Sequence, residues 1–397
     1  MVSRRRQKYI FAKPKKSEKI MKGLLVLLLV VAIAVVGMFI YFNLFGTASK
    51  VHLKDKLEAE INSQVQASDF ITSIDDGGEI HSMSKIDTSK LGKTECEVQI
   101  KFGDNIRDFA FDVEIVDTTA PVIQCEDTVN ILKDSKIDLV TLAGASDNSQ
   151  EKIKVKADKK IDVSTPGTYD VTFTTADSSE NKASKAVKVT VIDPASIMDS
   201  KEPVKFYTDK GFAAEFKDGV LTVAGIPVAN KSFGMYRGYA PGVNKDATKA
   251  LGEMQEAASK AGFDIFVQSS YRSFGSEYNY YNRYVNNKGQ EEADKYEAKP
   301  GFSEHQTGLA FDLNASDSEF DSTPEAKWLA ENCYKYGFVI RYPQGKDAET
   351  GYAGESWHFR YVGKELAEKL YNGGKWITLE EYFGLPSVYY EAQEEEN

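Results

Sequence analysis

The stretch SEHQTGLAFDLN, from Ser303 to Asn314, decides the fold of the C-terminal half of the chain. Gly308 marks a turn after His305, and the apolar residues that follow the glycine predict a strand. Because side chains alternate along a strand, Asp312 should face the same side of the sheet as Ala310. The stretch therefore predicts a histidine in a tight turn and a carboxylate on the strand that follows it.

A second polar motif ends in another histidine and reads ESWH, from Glu355 to His358. Together, His305, Asp312 and His358 would make a set of two histidines and one carboxylate. Such a set leaves a fourth position for water, as in catalytic zinc sites. A catalytic zinc site also needs a carboxylate that accepts a proton from that water, and Glu355 is the natural candidate for this base.

The same residues allow other interpretations. A lone histidine is more often a hydrogen-bonded structural residue than a metal ligand, and a single Glu-x-x-His match arises by chance. Ser303, His305 and Asp312 could also suggest a serine hydrolase. Against that, the chain has no Gly-x-Ser-x-Gly motif, and the serine lies two residues from its presumed base. On these residues alone, a zinc site and a structural role are equally open.

Further blocks in the same half of the chain accompany these motifs. In order they are SSYRS at 269–273, SxHxxGxAxD at 303–312, WL at 328–329, KYGFVIRYP at 335–343, TGY at 350–352 and ExWHFRYVG at 355–363. Together they resemble the D-Ala-D-Ala carboxypeptidase family of zinc peptidases, the VanY and LdcB-like branch of the M15 clan. The resemblance covers roughly 228–383.

The resemblance implies a role for each matching residue. It implies that His305, Asp312 and His358 bind Zn²⁺ and that Glu355 is the general base. It also implies that Arg272 receives the terminal carboxylate of the substrate, a role that suits a planar two-pronged cation. The alternative for the arginine is a surface ion pair.

Other residues would complete the substrate site. Ser303 and Tyr342 would line it, with Trp357 packed behind the second histidine. One residue departs from the family: Glu277 stands five residues after the arginine, where the family usually has glutamine. A carboxylate beside a substrate carboxylate is repulsive unless it is protonated or paired. Either Glu277 pairs with Arg272 and tunes it, or the substrate ends differently from a plain D-alanine carboxylate.

The predicted function is therefore a membrane-anchored extracellular zinc carboxypeptidase, of D,D or L,D specificity. It would remove terminal D-alanine from the stem peptides of peptidoglycan. One alternative is a peptidoglycan endopeptidase of the same chemistry. Another is a non-catalytic wall-binding protein that keeps the zinc fold, although such a protein would lack the base that Glu355 supplies.

Charge is distributed unevenly along the chain. The 397 residues carry a net charge of −11, yet the segment 1–22 has nine basic residues and one acidic residue. That segment is +8, which leaves −19 for the remainder. An acidic body repels phosphates, so nucleic acid is not an expected partner.

The segment from Leu24 to Phe45 contains no charged residue. As a helix with a rise of about 1.5 Å per residue, it would span roughly 33 Å, enough for a bilayer core. This predicts a transmembrane helix over 23–45, with the tail 1–22 in the cytoplasm and the rest of the chain outside the cell membrane. A cleaved signal peptide is the alternative, although the apolar regions of signal peptides are shorter, about 7–15 residues.

Residues 50–119 and 120–195 predict two β-rich modules. In each, a short motif that starts with Ile-Asp, at 86–92 and at 161–167, precedes a pair of strands. The second module resembles the immunoglobulin-like repeats of bacterial surface proteins, and the first does so only loosely. A β-sandwich that serves as a spacer is expected for each, with ligand binding as the alternative. Neither module shows the constellation of residues that a catalytic site needs.

Residues 205–388 change to mixed helical and strand patterns. They predict an α+β zinc peptidase domain with a central antiparallel sheet, followed by an acidic tail at 389–397. The predicted fold class is thus multidomain: one transmembrane helix, β-sandwich modules and this domain. Cys96, Cys125 and Cys333 are too scattered to indicate a disulfide framework, so three thiols are expected, with a pair between the first two as the alternative.

Overall fold

The computed structural model describes residues 27–36 and 50–390. The chain forms two compact units. Unit 1 contains the described residues up to Pro121 together with Asp147–Lys152 and Asp177–Asn181. Unit 2 contains Val122–Ser146, Ile153–Ala176 and the described residues from Lys182 onward.

The prediction of a transmembrane helix over 23–45 is wrong for the part of the chain that the structure describes. Residues 27–36 are helical, and these residues account for about 15 Å of helix, whereas a bilayer core needs about 30 Å. No helix among the described residues is long and apolar enough to cross a membrane. The rest of the predicted span, the segment 1–22 and the end of the acidic tail lie outside the described residues.

Unit 1 is mostly sheet. Its strands are β1 (Val51–Leu53), β2 (Glu58–Glu60), β3 (Ile71–Ile74), β4 (Glu79–Met83), β5 (Gly92–Phe102) and β6 (Asn105–Val116). The strands β2, β6, β5 and β4 form one sheet in that order, and β1 pairs with β3. Along β5, Cys96, Val98 and Ile100 are fully buried while the residues between them are exposed. This alternation places every second side chain in the core of unit 1.

Unit 2 begins with a larger sheet. Its first strands are β7 (Val122–Gln124), β8 (Thr128–Leu132), β9 (Gly144–Ser146), β10 (Lys156–Ala157), β11 (Gly167–Ala176), β12 (Lys182–Ile192), β13 (Val204–Tyr207), β14 (Ala213–Lys217), β15 (Val220–Val223) and β16 (Ile226–Val228). Eight of them form one sheet in the order β10-β11-β12-β8-β13-β14-β15-β16, and β7 pairs with β9. The sheet crosses the predicted boundary near residue 200, because β13 pairs in parallel with β8.

The remaining elements of unit 2 surround a smaller sheet. The strands are β17 (Val267–Ser269), β18 (Ala310–Leu313), β19 (Phe338–Tyr342) and β20 (Glu355–Tyr361). The helices are α1 (Lys245–Lys260), α2 (Phe274–Lys288), α3 (Gln290–Tyr296), α4 (Pro324–Asn332), α5 (Asp347–Thr350), α6 (Lys364–Tyr371) and α7 (Leu379–Phe383). The sheet has the order β17-β18-β20-β19 and is antiparallel throughout.

The two faces of this smaller sheet have different roles. Phe311 and Phe359 lie opposite each other in the register and are buried in a core with Leu251 of α1 and Leu329 of α4. Since side chains alternate along strands, the residues next to these phenylalanines point to the other face. On that face lie the polar residues that both sequence motifs single out.

The three cysteines are free thiols, as expected from their spacing. Cys96 and Cys333 are buried and Cys125 is half-buried. Burial raises the pKa of Cys96 to about 11, so its thiol stays protonated and inert at neutral pH.

Candidate active site

The turn that carries His305 is a short 3-10 helix, Glu304–Thr307. Ser303 is its N-cap, and the Ser303 hydroxyl accepts a hydrogen bond from the backbone N–H of His305 at 3.3 Å. Gly308 ends the turn with φ +72, and a Cβ there would lie 1.9 Å from the carbonyl oxygen of Gly242. Glycine is therefore required at 308 both by the backbone conformation and by the close approach of a second chain segment.

The two sequence motifs meet because β18 pairs with β20. Asp312 lies directly opposite His358 in the register. Asp312 Oδ2 is 3.3 Å from His305 Nε2, and Asp312 Oδ1 is 3.3 Å from His358 Nδ1. We call these three residues the His-Asp cluster; all three are buried. Donor atoms at about 2.0–2.1 Å around a tetrahedral metal are themselves about 3.3 Å apart, so the spacing fits Zn²⁺.

The hydrogen bonds around the His-Asp cluster also fit a cation. His305 Nδ1 lies 2.6 Å from the backbone carbonyl of Ser270. A carbonyl only accepts, so Nδ1 carries the proton and Nε2 presents its lone pair to the cluster. Burial also lowers the pKa of His305, which favours the neutral ligand form. Asp312 Oδ1 is buried without a hydrogen-bond partner among the described residues, an orphaned oxygen that a metal ion would satisfy.

Glu304 supports the second histidine from the opposite side. Its Oε2 is 3.8 Å from His358 Nε2, and its Oε1 accepts hydrogen bonds from Arg341 Nε and Arg360 Nη1, both at 2.8 Å. Burial disfavours the charge of this fully buried carboxylate, but the two arginines hold the pKa of Glu304 well below its usual range. Arg341 in turn makes two hydrogen bonds with Glu380, at 2.7 and 2.9 Å. The result is a buried ionic network under one metal-ligand candidate.

Sequence reasoning missed this network. Glu304 lies in the first motif and the two arginines lie in two of the further blocks, but the motifs alone assign none of them a role. The available signal was alternation: Arg360 lies two residues after His358 and so shares its face of β20. An arginine at an inward position of a buried strand needs a carboxylate partner.

Glu355 is the first residue of β20 and reaches the cluster from the side. Its Oε2 lies 3.5 Å from His358 Nδ1, and its side chain is 13% exposed. In a regular strand, residues three apart face opposite sides, but the register of β19 and β20 shifts between Ile340 and Tyr342. This irregularity allows Glu355 and His358 to approach the same point. Burial raises the pKa of Glu355 to about 8.

Arg272 follows β17 and approaches the cluster with its guanidinium. Its Nη1 donates to Ser269 Oγ at 3.0 Å and lies 3.6 Å from Asp312 Oδ2. Its Nε donates to Glu277 Oε1 at 2.7 Å. Glu277, in the first turn of α2, is only 1% exposed. Of the two alternatives for Glu277, the geometry therefore favours pairing with Arg272.

A cavity of about 720 Å³ opens above the His-Asp cluster. The sequence-predicted residues that line it are Arg272, Ser303, His305, Asp312, Tyr342, Glu355, Trp357 and His358. Glu277 does not line the cavity and lies behind the arginine. Trp357 packs against the core beneath the sheet, while the ring of Tyr342 contacts that of His358 with centroids 5.0 Å apart. The cavity also has a wall of residues to which the sequence motifs assign no role: Tyr280, Tyr284, Tyr296 and Glu297.

Comparison with known proteins agrees with the family resemblance of the sequence motifs. Residues 241–364 match the family model described as VanY: D-alanyl-D-alanine carboxypeptidase. This confirms, for these residues, the resemblance that the motifs predicted. The immunoglobulin-like character of the preceding modules stays a prediction.

Individual proteins are also similar to part of the chain. The D-alanyl-D-alanine carboxypeptidase of Enterococcus faecalis is 46% identical over 99 residues, which cover 25% of this chain and 36% of that protein. The structure of the LdcB LD-carboxypeptidase is 40% identical, with 45% of this chain and 98% of that chain covered and a TM-score of 0.41.

A third similar protein was solved with a metal ion. It is a variant of the vancomycin resistance D,D-pentapeptidase VanY in complex with Zn(II), 32% identical, with 39% of this chain and 96% of that chain covered and a TM-score of 0.35. The chain spans about half, or less, of the length of the first curated relatives that it matches.

Proposed function

Residues 241–364 form a domain of the VanY D-alanyl-D-alanine carboxypeptidase family, and on this premise we propose that the chain is a zinc carboxypeptidase. Its substrate would be the stem peptide of peptidoglycan, from which it would release the terminal D-alanine. The observation that carries the proposal is the convergence of the His-Asp cluster, Glu355 and Arg272 on one cavity of about 720 Å³.

The residues of the cluster would hold Zn²⁺ through His305 Nε2, His358 Nδ1 and a carboxylate oxygen of Asp312. When bound, Zn²⁺ polarises the scissile carbonyl and lowers the pKa of a water molecule. The network of Glu304 with Arg341 and Arg360 holds a carboxylate 3.8 Å from His358 Nε2, where its charge favours the ring orientation that presents Nδ1 to the cluster, as outer partners do in other metal sites.

Proton transfer is assigned to Glu355. Its carboxylate lies 3.5 Å from a ligand nitrogen of the cluster and is close to any water held there. With a cation at the cluster to lower the pKa of Glu355 and keep it ionised, we expect Glu355 to accept a proton from the attacking water and to return it to the nitrogen of the departing D-alanine. Because the side chain is mostly buried, the proton stays with the reacting groups instead of being lost to bulk solvent.

Recognition of the chain end is assigned to Arg272. With Nε bound to Glu277 and Nη1 bound to Ser269, the guanidinium is held in a fixed orientation on the cavity wall. A fixed guanidinium suits a carboxylate, the group that distinguishes a terminal D-alanine from an internal residue. The proposed substrate requires the domain to work outside the cytoplasm, with the β-rich regions before it as a spacer.

The test is to incubate the purified chain, with zinc, on a pentapeptide stem, a tetrapeptide stem and a cross-linked dimer. Release of D-alanine from the pentapeptide would identify the chain as a D,D-carboxypeptidase. Release from the tetrapeptide would identify it as an L,D-carboxypeptidase. Cleavage of the dimer alone would replace the proposal with an endopeptidase. If the chain binds zinc and cleaves none of the three, the proposed activity is refuted, which leaves the alternative of a non-catalytic wall-binding protein.

A further inference from the structure

Unit 1 contains a second group of metal-ligand candidates, which we call the aspartate cluster. It consists of Asp117, Asp147 and Asp177. Each of the three directly follows the last residue of a strand: β6, β9 and β11 respectively. One carboxylate oxygen from each lies within 4.8 Å of the others. Asp117 and Asp177 are buried, with 7% and 9% of their surface exposed.

The buried oxygens of this cluster lack donors. Neither oxygen of Asp117 has a hydrogen-bond partner among the described residues, and neither does Asp147 Oδ1. The carbonyl oxygen of the Asn148 side chain is also buried without a partner. Within residues 50–390, none of the three carboxylates forms an ion pair with lysine, arginine or histidine. A buried carboxylate without donors is costly, so the arrangement calls for a positive charge.

Protonation alone does not remove this charge. Burial, with Asp147 and Asp177 nearby, raises the pKa of Asp117, but a proton there would still leave the other two carboxylates together. A fourth carboxylate, Glu60, adds to the negative potential. Its oxygens accept five hydrogen bonds, from the backbone N–H and hydroxyl groups of Thr118 and Thr119 and from Asn148 Nδ2.

Glu60 positions the residues of the aspartate cluster and is not itself required as a ligand. Burial opposes its charge, but these hydrogen bonds lower the pKa of Glu60 to about 2, so it is ionised at neutral pH. Thr118 directly follows Asp117, and Asn148 directly follows Asp147, so one carboxylate fixes two of the three ligand segments. The third segment is fixed by Asn181, whose backbone N–H and side-chain amide donate to Asp177 at 2.8 and 2.9 Å.

We propose that Asp117, Asp147 and Asp177, with the side-chain carbonyl of Asn148, bind a calcium ion. The donor set contains only oxygen, which selects hard cations, whereas Zn²⁺ prefers sites with nitrogen or sulfur. Ca²⁺ takes six to eight oxygens at about 2.3–2.6 Å in a flexible geometry, so carboxylate oxygens that all lie within 4.8 Å of one another can share one ion. Mg²⁺ needs a nearly ideal octahedron at about 2.0–2.1 Å and usually keeps several waters, so a buried set of protein oxygens suits it less well.

The experiment measures calcium binding by calorimetry and the melting temperature of the full chain loaded with one equivalent of zinc. We expect one Ca²⁺ per chain and a higher melting temperature in CaCl₂ than in MgCl₂. Asp117→Asn should weaken calcium binding at least tenfold. It should not destabilise the calcium-free chain, because it removes a buried charge that has no partner. His305→Ala should bind calcium as the wild type does.

A matched control separates cation binding from turn formation. Asp162 accepts hydrogen bonds from the backbone N–H and hydroxyl of Ser164, as Asp147 does from Ser149. Asp162→Asn should therefore leave calcium affinity unchanged while Asp147→Asn lowers it. If the wild type binds no calcium, responds equally to magnesium, or keeps its affinity in Asp117→Asn and Asp147→Asn, the proposal is overturned. If the Asp117→Asn variant fails to fold, Asp177→Asn tests the same loss of one carboxylate ligand and the expected fall in calcium affinity.

Discussion

The His-Asp cluster and the aspartate cluster solve the problem of buried charge in different ways. In the first, the protein supplies one hydrogen bond and a set of counter-charges: Ser270 accepts from His305, and Glu304, held by two arginines, lies 3.8 Å from His358, while Asp312 Oδ1 stays without a hydrogen-bond partner among the described residues. In the second, Asp117 has no partner for either carboxylate oxygen. The comparison teaches that a preorganised set can hold its geometry before a metal arrives, whereas an unpartnered set depends on the cation for its stability.

The largest expected effect is the loss of activity in Glu355→Gln. Glutamine has the same shape but accepts no proton, so kcat should fall by about 10²–10⁴-fold on the stem peptide. Zinc content, measured by elemental analysis, should stay at the wild-type level, because Glu355 is not a proposed ligand. Glu365→Gln, on the exposed face of α6, is the control and should keep full activity. A fully active, zinc-loaded Glu355→Gln enzyme would remove this residue as the base.

The preorganisation of the His-Asp cluster is tested by Glu304→Gln. This change leaves two buried arginines without their shared carboxylate, so the free energy of unfolding should fall by about 3–5 kcal/mol. Zinc affinity should fall by roughly 10–100-fold, as for other outer partners of metal-binding histidines. Chemical denaturation and a competitive zinc chelator measure the two effects.

Glu380→Gln is the matched control for this variant. Glu380 is also buried and also pairs with Arg341, but it makes no contact with His358. The Glu380→Gln variant should therefore have a lower free energy of unfolding but the same zinc affinity as the wild type. Equal zinc affinities in wild type and Glu304→Gln would mean that the network supports the fold and not the metal site.

Much of this site could be predicted from sequence, because its residue types are chemically specific. His305, Asp312, His358 and Glu355 stand in two short motifs whose residue types already suggest a metal and a base. The motifs do not predict that β18 pairs with β20, and it is this pairing that brings Asp312 opposite His358. That contact is non-local, and only the match to a known family made it predictable.

Other features could not be predicted from the sequence, for a physical reason. The role of Glu304 depends on arginines 37 and 56 residues away, and nothing in its own neighbourhood reveals them. The aspartate cluster is likewise assembled from three segments that each follow a different strand, and aspartate is common in turns and loops for local reasons. The transmembrane prediction failed in the opposite way: apolar composition indicates that a segment could span a bilayer, but no helix among the described residues is long and apolar enough to do so.

A smaller effect is expected at two glycines with similar backbone conformations. Gly308, in the His305 turn, has φ +72 and would bring a Cβ to 1.9 Å from a carbonyl oxygen, whereas Gly103, in the β5–β6 hairpin, has φ +59 and open space. Gly103→Ala should cost about 1–2 kcal/mol of unfolding free energy, the cost of a left-handed conformation alone. Gly308→Ala should cost more and should also lower zinc affinity. Equal losses in thermal denaturation would show that the close approach is relieved by movement of the loop.

The smallest expected effect is a change of substrate affinity in Glu277→Gln. Glutamine can still accept the hydrogen bond from Arg272 Nε, so the guanidinium keeps its orientation while its charge is no longer neutralised. A substrate carboxylate should then bind more tightly, with KM about fivefold lower, roughly 1 kcal/mol, and kcat nearly unchanged. Glu277→Ala should raise KM instead, because it removes the partner that orients Arg272. If KM is unchanged in Glu277→Gln and in Glu277→Ala, Arg272 does not bind the carboxylate, and the cavity recognises its peptide by other contacts.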